Sequence, residues 1–273
     1  MRSERRGLAC ALTIGGLDPG GGAGIVADLR AFAAAGAFGC AAVALTTVQS
    51  TAGMRSARYA SPRDVVSQAE EVLRSQRVRA VKVGALGSRR NVQAVARLLA
   101  RHAGVPAIVD VPMRPTRGRA LLLSGDALAA VERDLLPRAT LVTVNLVEAE
   151  ALLGERVRTV GEARDAARRL SDTGARAVLV KGGHMAGPRA IDVLAVDGEV
   201  IELGAARLRV DPTHGTGCTF ASLIAGRLAV RDAGRRGVGR DDLVLAIRWA
   251  KRIHHAALAR SVDVGRGMRA IVF

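Results

Sequence analysis

Aromatic residues are scarce in this chain, and lysine is nearly absent. Phe, Trp and Tyr make up 2% of the 273 residues, and the lysines are Lys82, Lys181 and Lys251. The formal net charge of +16 therefore rests on arginine. The arginines are scattered over many predicted helices, and so few aromatic rings cannot build a base-stacking platform. We therefore assign the positive charge to solvated surface and expect no nucleic-acid partner.

Cysteines and long apolar runs are also few. Cys10, Cys40 and Cys218 are odd in number and fit neither a zinc site nor a redox pair, which favours a reducing cytoplasm. His254 and His255 are adjacent on a predicted helix and point to different faces, which argues against a histidine metal site. No apolar run is long enough to span a bilayer. The basic, apolar start continues into the loop "GGLDPGGGAG", so we interpret it as a first strand and not as a signal peptide.

Short apolar, β-branched runs alternate with longer helical patterns along the chain. This alternation predicts an α/β fold with a mostly parallel central sheet and helices on both faces, and we expect a single domain over residues 1–273. Asp197-Gly198, between two short strands, indicates a β-hairpin with a type I′ turn. The predicted strands are Leu8–Ile14, Cys40–Thr46, Ala80–Val83, Ala107–Val109, Leu141–Val144 and Ala177–Val180. The predicted helices are Ala23–Ala35, Pro62–Ser75, Arg90–His102, Gly125–Leu135, Val160–Thr173, Thr216–Val230 and Asp241–Arg260.

Polar residues follow the predicted strands at their carboxyl ends, where ligands bind in open parallel sheets. The first strand ends in the loop Gly15–Gly24, which matches neither a P-loop nor a dinucleotide fingerprint. On the next helix, Asp28 lies beside the apolar face, where it either interacts with the helix N-terminus or accepts a hydrogen bond from a ligand. Gln49 falls in a polar loop expected after the second strand. It is either an ordinary loop residue or a ligand contact.

Two later strands end in further candidates. Asn145 and Glu148 are three residues apart at the start of a helix, where a capping box explains them without a ligand. The functional alternative is a site for phosphate or magnesium, which prefers oxygen ligands. Lys181 ends a buried strand and is followed by two glycines, Gly182 and Gly183. The lysine can meet phosphate oxygens, while the glycines let a nucleotide approach.

The stretch Gly215-Thr216-Gly217-Cys218 opens an apolar helix. Free N–H groups at a helix start bind anions, and the glycines let an anion reach them. Cys218 falls in the first turn, where the helix end is expected to lower the thiol pKa. An anion cradle beside a thiolate base suits phosphoryl transfer to a hydroxyl. The alternative is a small buried cysteine after a glycine-rich turn.

Four ordered motifs carry a family resemblance over nearly the whole chain. They are "ALTIGGLDPGGGAGIVADLRAFAAAGAFGCAAVALTTVQSTAG", "VNLVEAEALLG", "VKGGH" and "THGTGCT". They resemble the hydroxymethylpyrimidine and phosphomethylpyrimidine kinases of thiamin synthesis, which belong to the ribokinase-like superfamily. The resemblance implies a three-layer α/β/α fold, ATP with Mg²⁺, an aminopyrimidine alcohol as substrate, and a homodimer.

The resemblance also implies roles for individual residues. Cys218 would be the base beside the substrate hydroxymethyl group. The implied anion hole consists of Gly215, Thr216, Gly217 and Cys218. The implied substrate contacts are Gly16, Asp28, Gln49, Ala85 and Pro112. The implied nucleotide and phosphate contacts are Asn145, Glu148, Lys181, Gly183 and Thr213. The implied metal ligands are Asp110 and Glu148.

The chain departs from the family's pattern at the substrate pocket. Leu17 stands where the family usually has Ser or Thr, Ala85 where it often has Met, and Pro112 replaces a pocket valine. Ala85 is expected to widen the pocket. These departures motivate a rival interpretation, a pyridoxal-type or other hydroxymethyl-heterocycle kinase.

A second departure lies in the loop "MRPTRGRALL" after Asp110. Thr116 replaces a lysine, and Arg119 replaces an acidic residue. We expect Arg114, Arg117 and Arg119 to supply phosphate-binding charge in place of the lost lysine. The altered loop and the net charge motivate another rival, a ligand-sensing or nucleic-acid-binding homologue without turnover.

Overall fold

The computed structural model describes residues 7–110, 112–113, 115, 117–118, 122–231 and 237–273. Its strands are β1 (Cys10–Leu17), β2 (Phe38–Ser50), β3 (Gly53–Tyr59), β4 (Val78–Val83), β5 (Ala107–Val109), β6 (Leu141–Asn145), β7 (Ala177–Lys181), β8 (Arg189–Val196), β9 (Glu199–Ala206), β10 (Thr213–His214) and β11 (Arg269–Ala270). Its helices are α1 (Gly24–Ala34), α2 (Pro62–Ser75), α3 (Arg89–Arg101), α4 (Leu128–Ala130), α5 (Leu146–Leu153), α6 (Val160–Ser171), α7 (Thr216–Val230) and α8 (Arg240–Ala259).

Nine strands form the central sheet in the order β3-β2-β1-β4-β5-β6-β7-β8-β9. The strands from β2 to β7 in this order are parallel, while β3, β8 and β9 pair antiparallel. The predicted mostly parallel sheet is therefore confirmed. Because parallel strands share a direction, the carboxyl ends of β1, β4, β5, β6 and β7 meet at one edge of the sheet.

The two faces of the sheet bury different helices. Side chains alternate along each strand, so Leu12 and Ile14 of β1 pack into one core with α2, α3, α5 and α6. Ala11 packs into the opposite core with α1, α7 and α8. This arrangement confirms the three-layer α/β/α fold.

Three elements differ from their predicted form. Strand β1 continues to Leu17 and pairs with β2 to its end, so Gly15 and Gly16 lie in a strand and not in the predicted loop. Strand β2 continues to Ser50 and pairs with β3, so Gln49 lies in a strand and not in a loop. The helix predicted over Gly125–Leu135 is broken into a 3₁₀ turn, the short α4 and a π-helical turn. By contrast, the predicted hairpin at Asp197-Gly198 is present, and both residues have the positive φ of a type I′ turn, 49° and 79°. Within the described ranges, no helix is long and apolar enough to cross a membrane.

Candidate active site

Helix α7 begins at the carboxyl edge of the sheet without a side-chain cap. Its N-cap, Gly215, has φ +72°, and no side chain in the described part of the chain caps the helix start. The loop after β1 packs directly onto this start, since a Cβ at Gly22 would lie 2.4 Å from Cδ2 of His214. The first N–H groups of a helix have no partner within it. The predicted stretch from Gly215 to Cys218 therefore has the geometry of an anion-binding helix start.

Lys181 brings a positive charge to this helix start. A Cβ at Gly217 would lie 3.3 Å from Nζ of Lys181. The same Nζ donates to Oδ1 of Asp110 at 2.6 Å, and that oxygen also accepts from Thr143 at 2.7 Å. Although burial alone would raise the pKa of Asp110, Lys181 and Lys82 hold it below its usual value. Asp110 is thus an ionised carboxylate that orients Lys181 toward the start of α7.

Asn145 and Glu148 form the capping box that their spacing predicted. The backbone N–H of Glu148 donates to Oδ1 of Asn145, and the N–H of Asn145 donates to Oε2 of Glu148, each at 2.8 Å. Burial raises the pKa of Glu148 to about 6, with a further contribution from Asp110. A capping box accounts for both residues, and their predicted role toward a metal or phosphate stays a prediction.

The thiol of Cys218 does not have the lowered pKa predicted from its helix position. Burial raises the pKa of Cys218 to about 12, and the charges of Asp110 and Asp28 add to this effect. Lys82 and Lys181 favour the thiolate but do not outweigh burial. The expectation is corrected because loss of hydration disfavours a thiolate more than the helix start favours it. In this structure Cys218 is a protonated thiol at neutral pH.

The side chain of Asp28 is buried more deeply than its predicted contact with the pyrimidine ring requires. It is 0% exposed, and its carboxylate accepts from Thr13, from Ser222 and twice from Lys82. A carboxylate has about four lone-pair positions, and these four bonds occupy them. In this structure donors of the protein itself fill the hydrogen-bonding capacity of Asp28, and its predicted contact with the pyrimidine ring stays a prediction.

Asp18 and His214 join Gln49 in a network that the sequence reasoning missed. Nε2 of His214 lies 3.0 Å from Oδ2 of Asp18 and 2.9 Å from the side-chain amide of Gln49. Asp18 also accepts the N–H groups of Gly20 and Ala23 at 2.8 and 2.9 Å. Burial would raise the pKa of Asp18, but the His214 bond and these N–H groups lower it. Both missed residues lie within the four motifs quoted above. Each is a polar side chain close to glycines, and this pattern could have identified them from the sequence.

The predicted substrate contacts near β1 lie close together. A Cβ at Gly16 would lie 3.0 Å from Cδ1 of Leu45 and 3.6 Å from Cβ of Ala85. Leu45 and Ala85 are buried, and Pro112 is half-buried. Gly16 and Ala85 thus share one apolar corner with Leu45, which the prediction did not include.

The remaining predicted contacts have separate surroundings. Thr213 is half-buried, and its hydroxyl donates to the carbonyl of Asp211 at 2.9 Å. Gly183 is exposed, and its carbonyl accepts from Arg207. Arg117 is exposed, and its carbonyl accepts the N–H of Met54 at 3.1 Å. The predicted phosphate contacts of Arg114 and Arg119 lie outside the described residues, as does Thr116, which replaces the family's lysine.

A cavity of about 470 Å³ between β9 and α8 is separate from this cluster. Lys251, one of its lining residues, donates to Oδ2 of Asp192 at 2.6 Å, and Oδ1 of Asp192 accepts the N–H of Gly182 at 2.9 Å. This pair fixes the loop after Lys181. The cavity is lined by Glu202, Leu203, Gly204, Ala205, Arg248, Lys251, Arg252 and His255.

Comparison with known proteins decides the family. A profile of the phosphomethylpyrimidine kinase family matches residues 18–271. The chain belongs to this family. A hydroxymethylpyrimidine/phosphomethylpyrimidine kinase of Rhizobium meliloti is 39% identical over 264 residues, which cover 95% of this chain and 94% of that protein. The family and the kinase class predicted from the motifs are thus confirmed.

Solved structures of related kinases share the fold. The phosphomethylpyrimidine kinase of Clostridium difficile has a TM-score of 0.75 and 28% identity, covering 91% of this chain and 99% of that one. The pyridoxal kinase of Bacillus subtilis, solved as an ADP complex, has a TM-score of 0.83 and 26% identity, covering 97% of each chain. The ribokinase-like fold is therefore shared by kinases of two heterocycle classes.

Proposed function

We propose that this kinase transfers the γ-phosphoryl group of ATP to 4-amino-5-hydroxymethyl-2-methylpyrimidine, and then to its monophosphate, in thiamin diphosphate biosynthesis. The observation that carries the proposal is the uncapped start of α7 with Lys181 directed at it. Relatives named hydroxymethylpyrimidine/phosphomethylpyrimidine kinase are 34–39% identical to this chain. Pyridoxal kinases among the related structures are 24–26% identical, so the pyridoxal alternative is not favoured.

In the proposed reaction, the acceptor oxygen bonds to the γ-phosphorus while the bond from that phosphorus to the ADP oxygen breaks. The N–H groups at the start of α7 and the ammonium of Lys181 stabilise the charge on the transferring group. The acceptor proton passes to Cys218 late in the step. Cys218 can accept this proton only as the thiolate, after its own proton has passed to solvent, so the anion hole and Lys181 account for most of the rate enhancement.

Asp110 and Glu148 suit a magnesium ion that accompanies ATP. Both are buried carboxylates, and the charge of Asp110 raises the proton affinity of Glu148, so a divalent cation would relieve that repulsion. In the described part of the chain, no group of three or more His, Cys, Asp and Glu is arranged to hold a metal. Mg²⁺ commonly uses one or two carboxylates and takes its other ligands from phosphates and water. When bound, it would neutralise phosphate charge.

We place the substrate and nucleotide contacts at the same carboxyl edge of the sheet. We assign the ring to Gly16, Gln49, Ala85 and Pro112, with Gln49 held by His214. We assign the nucleotide end to the loop after β7 and to β10, which contain Gly183 and Thr213, and we assign the loop arginine Arg117 to phosphate. A cytoplasmic homodimer completes the proposal.

The test is incubation of the purified chain with Mg-ATP and, separately, the pyrimidine alcohol, its monophosphate and pyridoxal. Phosphorus NMR should show a phosphomonoester from the alcohol and a diphosphate from the monophosphate, with turnover on pyridoxal at least about tenfold slower. Preferential turnover of pyridoxal would reassign the substrate. No product from any acceptor, while the Rhizobium meliloti enzyme reacts in parallel, would reject the kinase reaction.

A further inference from the structure

Asp28 is the centre of a buried hydrogen-bond network that reaches α7, the helix whose start forms the anion hole. We propose that Asp28 is a positioning residue that acts through Ser222: it fixes the rotation of α7 and thereby the direction of the N–H groups at its start. This inference rests on the proposed phosphoryl transfer, because a precisely directed anion hole matters only if charge develops there.

The network joins three secondary-structure elements to one carboxylate. Oδ1 of Asp28, on α1, accepts from Ser222 of α7 at 2.6 Å, and Oδ2 accepts from Thr13 of β1 at 2.7 Å. Nζ of Lys82, on β4, donates to both oxygens at 3.1 and 3.0 Å. All four side chains are at most 1% exposed. Buried charges stay in such places only when they are paired and hydrogen-bonded, so the carboxylate holds its three donors firmly.

Ser222 stands one helical turn beyond Cys218 on the same face of α7, since residues four apart in a helix lie above one another. One further turn along, Gly226 packs against α1 so closely that a Cβ there would lie 2.8 Å from Cβ of Ala35. The Asp28–Ser222 bond is therefore the polar end of the seam between α1 and α7. It is also the end nearest the anion hole.

The start of α7 is held by the loop after β1 and by this seam, because its own N-cap has no side chain. The N-cap Gly215 offers no side chain to hold the first turn. A phosphoryl group bound to the N–H groups of Thr216, Gly217 and Cys218 needs them in one direction, and a misplacement of about 1 Å can cost about a hundredfold in rate. Among the described residues, Ser222 makes the hydrogen bond from an α7 side chain to another element that lies nearest along the helix to these groups.

Ser222→Ala tests the proposal, and Thr13→Val is its matched control. Each removes one hydroxyl donor from the same carboxylate and leaves the Lys82 ion pair intact, but only Ser222 belongs to α7. Ser222→Ala should lower kcat by about ten- to a hundredfold with KM values for ATP and pyrimidine within about threefold. Thr13→Val should keep kcat within about threefold. Equal losses of kcat in both variants, or no loss in Ser222→Ala, would overturn the positioning role.

Hydrogen exchange measured by mass spectrometry gives a readout that does not depend on turnover. Peptides covering residues 213–221 should exchange faster in Ser222→Ala than in wild type, and at the wild-type rate in Thr13→Val. Faster exchange in both variants would mean that the network only stabilises the fold in general, and it would overturn the proposal. A wild-type chain that phosphorylates no acceptor would refute the proposed function, whereas the exchange comparison would still decide whether Asp28 positions α7 through Ser222.

Discussion

Gly215 and Gly22 touch across the start of α7. A Cβ at Gly215 would lie 2.0 Å from the carbonyl oxygen of Gly22 and 2.9 Å from Cα of Ala23. Real Cβ atoms do not approach other heavy atoms so closely, and the obstacle is backbone, which cannot swing aside. The loop after β1 and the N-cap of α7 are therefore fitted to each other through glycine.

Gly215→Ala is expected to disrupt the anion hole, and Gly154→Ala is its matched control. Both glycines have φ +72°, so an alanine at either position has the same left-handed backbone, which costs about 1–2 kcal/mol. A Cβ added at Gly154 would have no other atom within 4 Å, so only Gly215→Ala also meets a steric clash.

Gly215→Ala should lower kcat/KM by about a hundredfold or more, as removal of an anion-hole donor does elsewhere. Gly154→Ala should keep kcat/KM within about twofold while losing stability in urea unfolding. Steady-state kinetics and unfolding curves of both variants decide the matter. If the two variants lose activity equally, left-handed strain alone is responsible and the contact with Gly22 is unimportant.

Glu148 should make the use of Mg-ATP depend on pH. Burial raises the pKa of its carboxyl to about 6, so the group is ionised at pH 7.5 and becomes protonated as the pH falls through about 6. A protonated carboxyl is a poor magnesium ligand, and KM for Mg-ATP should therefore rise between pH 7.5 and 5.5. In Glu148→Gln the capping box is kept, because glutamine also serves at that position, but the charge is lost.

The KM of Glu148→Gln should be high at both pH values and nearly independent of pH. If the variant keeps the wild-type pH dependence of KM, Glu148 only caps the helix and does not bind the metal.

The pH dependence of stability gives an independent measure of the raised pKa of Glu148. Since the folded-state pKa lies above the usual 4.5, the stabilising contribution is present below pH 4.5 and is lost as the pH rises through about 6. Glu148→Gln should remove this part of the pH dependence of the free energy of unfolding.

The periodicity of the sequence was sufficient for the parallel part of the fold. Buried parallel strands are continuous apolar runs, and α2 and α7 have the predicted bounds because a proline and a glycine mark their starts. The pairing of β2 with β3 was not predicted. Strand β3, "GMRSARY", is largely exposed beyond its second residue, so it has no apolar pattern that distinguishes it from a polar loop.

Strand ends and local motifs were sufficient to predict part of the candidate site. Local patterns identified both Lys181 and Gly217, and in the structure the two lie together at the start of α7. The pairing of Asp18 with His214 spans 196 positions of the chain, and no local pattern reveals it. The same limit applies to Asp28, whose three partners come from distant elements, and to Cys218, whose pKa is set by burial and not by its place in a helix.

Cys218 gives the last prediction. Because its pKa is raised to about 12, the thiolate fraction at pH 7.5 is small and grows about tenfold with each unit of pH. Alkylation by iodoacetamide should therefore be slow at pH 7.5 and should accelerate steadily to pH 10, and bound pyrimidine should protect the thiol. Cys40, whose pKa burial raises to about 11, should also react slowly and serves as an internal reference in peptide mapping.

Single-turnover phosphorylation across the same pH range tests the role of this thiol. If the Cys218 thiolate accepts the acceptor proton, the wild-type rate should rise with pH and show no plateau below pH 10. At pH 10, Cys218→Ala should be about a hundredfold slower than wild type, and its rate should lack that rise with pH. This factor is the lower end of the usual effect of a positioned base, because a loose transition state needs little early deprotonation. Cys218→Ser should recover little, since its hydroxyl fills the space but is a poor base. Wild-type and Cys218→Ala profiles that coincide would mean that Cys218 only packs beneath the anion hole and that the backbone N–H groups, with Lys181, carry out the catalysis.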